Sequence, residues 1–297
     1  MLKGGKLFKQ SNRLFLAAGS VQFQLHNYLL ITFPFCFMCA CQDPQNIISK
    51  RMASTMNNKK PFTVFVEGNI GSGKTTFLNL FNQRDDITTY AEPVNTWRDV
   101  KGHNLLALMY ENASRWSLTF QTMVQKTMLE VHLTQPNTPI KMMERSIHSA
   151  RHVFVDNLLQ GETMPAAEHA VLDSWYQFIV SQLDVSGDLI IYLRTNPEVV
   201  CERIKKRSRA EETSIPLSYL KSLHELHENW LLNKTHANCK EKVIVIDANQ
   251  SEAAMVEEFI KCEALIKGLT KANSHPDSTA VSDHPIRTTP KKILDVA

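Results

Sequence analysis

Ten glycines serve 297 residues, and three of them, Gly68, Gly71 and Gly73, fall within six positions. They punctuate the octapeptide Gly68-Asn69-Ile70-Gly71-Ser72-Gly73-Lys74-Thr75. The run Phe62–Val66 before it is apolar and β-rich, and Thr75–Phe81 after it reads as a helix. A chain this sparing with glycine concentrates it where the backbone must turn tightly or approach a ligand closely. The order strand, glycine loop, helix is the opening of a parallel α/β layout.

The octapeptide satisfies G-x-x-x-x-G-K-[ST] in the setting that pattern requires, after a strand and at the start of a helix. Glycines let successive backbone N–H groups converge on phosphate oxygens, and the helix N-terminus adds partial positive charge. Lys74 is suited to neutralising β- and γ-phosphate charge, and the Thr75 hydroxyl, with Thr76 beside it, to the Mg²⁺ and phosphate side of the loop. The whole stretch Gly68–Thr76 is therefore the expected nucleoside triphosphate site. Guanine readers carry N-K-x-D, whereas Asn233-Lys234-Thr235-His236 lacks the aspartate. No second glycine-rich signature of a transport ATPase is visible, which favours a small-molecule kinase.

The rest of the chain alternates short apolar runs with longer helical ones. Ile140–Met143, Leu189–Leu193 and Val243–Ile246 read as strands, and Trp116–Leu133, Ala166–Leu183 and Leu217–Leu232 as helices. Strands alternating with helices imply a parallel sheet covered on both faces. The expected fold is thus α/β, a P-loop fold with a five-stranded parallel sheet and long flanking helices. From Pro61 to about residue 270 the text is that of one domain; after Leu269 the Pro-, Ser- and Thr-rich tail to residue 297 reads as disordered.

Residues 1–60 read as an appendage. Eight basic residues stand there against Asp43 alone, so the net charge of +3 originates in this segment and the remainder is mildly acidic. An acidic body argues against nucleic-acid binding. Lys3, Lys6, Lys9 and Arg13 recur at helical spacing beside Leu7, Phe8, Leu14 and Phe15, the pattern of a mitochondrial presequence. A secretory signal is the rival reading, and initiation at Met52 or Met56 would leave a cytoplasmic protein. Tyr28–Cys41 is apolar but short of the roughly 20 residues a membrane span needs, and it contains Pro34, so no stable membrane insertion is expected. The spacing of the six cysteines suggests neither a disulfide framework nor a zinc site.

Three further segments end predicted strands or helices with chemistry. Glu92, in Ala91-Glu92-Pro93-Val94-Asn95-Thr96-Trp97, sits where ligands bind in an open parallel sheet and can accept a proton from an attacking hydroxyl. Glu144-Arg145-Ser146 closes another strand, with Glu144 placed to approach Mg²⁺ and Arg145 the phosphoryl group; a surface pair with Ser146 capping the next helix is the alternative. Arg203 to Glu212 ends a helix with a cluster of cations, and a lid reading has Arg207 and Arg209 close over a triphosphate. His224 and His227, three apart on one helix, lack an evident third metal ligand.

Taken in order, EGNIGSGKTT, EPV-x-x-W, Met109-Tyr110, Phe120-Gln121, ERS-x-x-SAR, LIIYLR-x-x-PE and R-x-R-x-EE resemble the deoxynucleoside kinases from about Pro61 to Ala248. The motifs are most like the insect multisubstrate and mitochondrial thymidine kinase branches. The resemblance implies MgATP-dependent phosphorylation of a deoxyribonucleoside 5′-hydroxyl, and a homodimer formed through long helices. It makes Glu92 the general base, with Arg145 and Lys74 at the transferred phosphoryl group. Gln121 would pair with the base edge, and Tyr110 and Glu212 with the 3′-hydroxyl. Trp97, Phe120 and Phe154 would surround the base, with Met109 beside them, and Val124, Met128 and Ala150 would form the pocket wall. Apolar Met128 and Ala150 leave room for a thymine methyl, so thymidine and deoxycytidine are expected ahead of purines. Two departures stand out: a linker to Glu92 one residue shorter than in the insect relative, and His148 where that relative has an aromatic. A nucleoside monophosphate kinase, a regulatory ATPase and a silent binding protein remain as alternatives. Glu211, next to Glu212, could simply pair with Arg207 or Arg209, and its role is left open.

Overall fold

The computed structural model describes residues 60–212, 214–234 and 241–274. The presequence-like segment, most of the Pro-rich tail and the Asn233-Lys234-Thr235-His236 stretch from Thr235 onward lie outside the described residues. Five strands form one sheet: β1 Phe62–Glu67, β2 Ile87–Tyr90, β3 Ile140–Glu144, β4 Leu189–Arg194 and β5 Lys242–Asp247. Their spatial order is β2-β3-β1-β4-β5, and every pairing is parallel.

Strand β1 sits at the centre, in register with β3 through Val66↔Glu144 and with β4 through Glu67↔Tyr192. All six of its residues are buried, as a central strand with both faces covered requires. Successive side chains serve opposite faces. Val64 and Val66 join Met142 and Ile191 in one apolar cluster, whereas Phe65 joins Met143, Ile190 and Tyr192 in the other. The first cluster is closed by α1 (Lys74–Asn79) and by the C-terminal helix α10 (Glu252–Ser274), Phe77 meeting Phe259 edge-on at 4.6 Å.

The second face carries the remaining helices. These are α2 (Val94–Arg98), α3 (Leu105–Glu111), α4 (Ala113–Leu133), α5 (Ile147–Ser149), α6 (Asp156–Gln160), α7 (Ala166–Gln182), α8 (Pro197–Arg207) and α9 (Leu217–Leu231). Between α5 and α6 the chain winds as a π-helix over Ala150–Val155, a form often found near functional sites. Ser146 caps α5 in a reciprocal capping box with Ser149. Helix α10 runs to Ser274, beyond Leu269 where polar composition placed the end of ordered chain; its buried Phe259, Cys262 and Ile266 hold it against the sheet.

Candidate active site

Four strand ends converge on one region. After β1 the loop begins at Gly68, where φ is +144° and a Cβ would fall 2.7 Å from the Leu193 carbonyl oxygen, so that no side chain fits. Gly73 (φ +95°) forms the left-handed N-cap from which α1 starts. Asn69 is buried and donates through Nδ2 to the Leu220 carbonyl at 2.8 Å, tying the loop to α9. Lys74 folds back, its Nζ donating to the carbonyls of Asn69 (2.8 Å) and Gly68 (3.1 Å). Burial, with the Arg145 charge second, lowers its pKa to about 7.

The ends of β2 and β3 supply the other charges. Thr75 Oγ1 donates to Glu144, at 2.9 and 3.1 Å from its two carboxylate oxygens. Arg145 adopts a left-handed backbone (φ +63°), a conformation costly for a side chain with a Cβ. That turn sends its guanidinium back over the loop: Nη1 donates to the Gly68 carbonyl at 2.9 Å, and Nε lies 3.0 Å from Glu92 Oε1. Phe154, on the π-helical stretch, lies beneath the same guanidinium at 4.6 Å. Burial raises the Glu92 pKa, while Arg145 opposes the shift.

Two cavities meet here. The first, of about 300 Å³, is lined by Glu92, Trp97, Met109, Tyr110, Phe120, Gln121, Val124, Phe154 and Glu212, among others. The second, of about 460 Å³, is lined by Gly71–Thr76, Arg203, Lys206 and the loop from Ala248 to Ser251. Gly71, Lys74, Thr75, Glu144 and Arg207 belong to both walls. A group bound over the glycine loop and one bound among the aromatics would thus be separated by a glycine, a lysine, a threonine, a carboxylate and an arginine.

Inside the first cavity, Trp97 donates from Nε1 to Thr127 Oγ1 at 2.9 Å and meets Phe120 edge-on at 5.6 Å. Gln121 is 2% exposed, and its Oε1 is buried with no hydrogen-bond partner. Burial, with Tyr219 and Glu212 near, pushes the Tyr110 phenol well above its usual range. Glu212 accepts from Arg207 and from Arg209, the second ion pair at 3.3 Å.

Most of the residues expected at the site are therefore brought together, with four placed elsewhere. Met128 and Ala150 do not line the cavity; both sit in the apolar cluster behind it, because the wall on α4 ends at Val124 and the next turn faces the core. Gly68 and Asn69 underlie the loop rather than facing either cavity. Glu211 pairs with Arg98, not with Arg207 or Arg209. Tyr219, Arg98 and Leu106 line the cavity and were not singled out from sequence; only the position of Arg98 directly after Trp97 offered a signal. Glu67, at the end of β1, is fully buried, accepts from Ser146 Oγ at 2.7 Å, and has its pKa raised to about 7 by desolvation.

A parallel sheet with a glycine loop after its central strand, and a carboxylate and arginine facing it across a second cavity, defines a P-loop phosphotransferase of the small-molecule kinase class. Residues 64–267 match the family model for deoxynucleoside kinase. Human mitochondrial thymidine kinase 2 is 49% identical over 201 residues, covering 68% of this chain and 76% of that protein. Human deoxycytidine kinase is 36% identical over 197 residues (58% and 76%), and chicken deoxycytidine kinase 2 is 33% identical over 233 residues (68% and 87%). The chain belongs to the deoxynucleoside kinase family. It is an enzyme, and the family implies ATP as its phosphate donor.

Proposed function

We propose that this enzyme transfers the γ-phosphoryl group of ATP to the 5′-hydroxyl of a deoxyribonucleoside, with thymidine and deoxycytidine preferred over purines. The observation that carries the reading is Gln121 Oε1, a buried acceptor without a partner in an aromatic cavity that adjoins the phosphate loop. A buried amide oxygen left unpaired is costly. A nucleobase edge stacked between Trp97, Phe120 and Phe154 would satisfy it, since the amide carries both donor and acceptor.

With the base held there, the sugar lies toward Tyr110 and Glu212, and its 5′-hydroxyl toward Glu92. Glu92 takes the hydroxyl proton, and its raised pKa makes it a stronger acceptor than an exposed carboxylate. Arg145, held by Glu92 and the Gly68 carbonyl, faces the migrating phosphoryl group from the acceptor side. Lys74 faces it from the donor side, and Arg207 and Arg209 stabilise charge on the phosphate oxygens. Thr75 Oγ1 and the Glu144 carboxylate are adjacent hard oxygen donors and fit Mg²⁺, which they would hold. When bound, that ion screens phosphate charge during transfer.

We further propose that residues 61–270 form the catalytic domain and that it works as a homodimer. Val171, Trp175 and Phe178, at i, i+4 and i+7 on α7, are each more than half exposed, and an apolar helix face of this kind supports pairing with a second copy. Among the described residues no helix is long and apolar enough to cross a membrane. The basic, amphipathic start of the chain supports mitochondrial targeting.

The reaction is tested by assaying ATP with thymidine, deoxycytidine, deoxyadenosine, deoxyguanosine and dTMP, on wild type and on Glu92→Gln. The expected result is phosphorylation of the pyrimidine nucleosides and not of dTMP, with kcat reduced about 10²- to 10⁴-fold in Glu92→Gln. Near-normal kcat in that variant refutes the assignment of the base.

A further inference from the structure

Glu211 and Glu212 are neighbours in the 3₁₀ turn Ala210–Glu212, yet they take different partners. Glu212 holds Arg207, which lines both cavities, and Arg209, which lines the first. Glu211 is held instead by helices of the acceptor cavity. Arg98, the last residue of α2, grips it with two parallel contacts, Nε to Oε1 at 2.8 Å and Nη2 to Oε2 at 3.2 Å. Asn104, which caps α3 by accepting from Ala107 N–H at 3.0 Å, helps Arg98 hold the Glu211 carboxyl below its usual range.

Helices α2 and α3 are the ones that build the acceptor cavity. Trp97 precedes Arg98 and lines that cavity; Met109 and Tyr110 project into it from α3. We propose that Glu211 is a positioning residue for phosphoryl transfer, a latch that sets the lid arginines over the ATP phosphates only when a nucleoside fixes α2 and α3. This inference rests on the kinase reading above and adds to it how the donor and acceptor sites communicate.

The mechanics follow from geometry. Adjacent α-carbons stay 3.8 Å apart, so a shift of Glu211 is passed to Glu212. A bidentate guanidinium–carboxylate pair fixes orientation as well as distance, which a single hydrogen bond does not. Arg98 is about one-third exposed and Glu211 about one-seventh, so the pair is reachable by water at its edge and adds little to stability by itself. Its value lies in registering two elements 113 positions apart in sequence. Nucleoside in the cavity would hold Trp97 and Tyr110, these would hold α2 and α3, and Glu211 would deliver that order to Arg207 and Arg209 through Glu212.

Coupling between two sites is measured as the factor by which one ligand changes the affinity for the other, and it is typically 5- to 150-fold. The experiment uses the full chain and calorimetric titration with β,γ-imido-ATP, with and without saturating thymidine, alongside an activity assay with ATP. Wild type is expected to bind the analogue at least about fivefold more tightly when thymidine is present. In Glu211→Gln that factor is expected to fall below about twofold, while affinity for the analogue alone stays within about twofold of wild type. Arg98→Gln breaks the same contact from the other side and is expected to lose the coupling likewise.

A factor near one in wild type overturns the latch, as does a wild-type factor that survives in Glu211→Gln or Arg98→Gln. Parallel weakening of both ligands with their coupling preserved also overturns it, since that is what a merely structural contact would give. The activity assay separates the two levels: thymidine phosphorylation with unchanged coupling sinks the latch alone, whereas no phosphorylation by wild type sinks the kinase reading and the latch with it.

Discussion

Replacing Gln121 with leucine should move stability and activity in opposite directions. In the free protein Gln121 Oε1 is buried without a partner, a penalty of roughly 1–3 kcal/mol for such a group. Leucine has a similar volume, removes the orphaned oxygen, and sits beside the apolar Phe120 and Val124. Recovering about 1 kcal/mol should raise Tm by roughly 2–4 °C for a domain of this size. Catalysis should suffer instead. Two lost hydrogen bonds to the base edge, together with the base's own groups left unpaired, amount to about 3 kcal/mol, or roughly 150-fold in kcat/KM for thymidine. Calorimetric Tm and steady-state kinetics on the same preparation provide both readouts. A lowered Tm, or a kcat/KM within fivefold of wild type, would show that Gln121 is an ordinary core residue.

Two other outcomes follow from the charges and surfaces. Since burial holds Lys74 near a pKa of about 7, it is mostly neutral at pH 8, and binding of a triphosphate restores its charge. Titration with ATP at pH 8 in buffers of different ionisation enthalpy should therefore reveal uptake of roughly one proton, lost near pH 6 and absent in Lys74→Arg, whose guanidinium is always charged. Uptake that persists in Lys74→Arg assigns the proton elsewhere. For the dimer, Trp175→Glu combined with Phe178→Glu places two carboxylates on the exposed face of α7, and the mass by light scattering should fall from two chains to one. An unchanged mass removes α7 from the interface.

The parts of the fold that were legible are those governed by local rules. The glycine loop could be read because positive φ and close approach restrict the residue type, and Gly68, Gly71 and Gly73 all take positive φ. Strands β1, β3, β4 and β5 could be read because burial on both faces demands uninterrupted apolar runs, and α4, α7 and α9 because their amphipathic repeat is long. What escaped was set by tertiary packing. Nothing in Ala150–Val155 distinguishes a π-helix from an α-helix, and nothing in Arg145 signals a left-handed backbone usually left to glycine. Met128 and Ala150 were expected in the pocket wall, but how deep a cavity reaches is decided by the opposing elements, so they belong to the core. Glu211 had cations nearby in sequence at Arg207 and Arg209, yet its partner is Arg98, brought close only by the fold.

On the proposed function, the two cavities that meet at Lys74, Thr75, Glu144 and Arg207 hold a phosphoryl donor and a deoxynucleoside acceptor. Incubating the wild-type enzyme with γ-labelled ATP and thymidine, then separating the products, tests it most directly. Label is expected on the 5′-phosphate of thymidine monophosphate, formed only when the nucleoside is present. Release of labelled inorganic phosphate at the same rate with and without thymidine would contradict it.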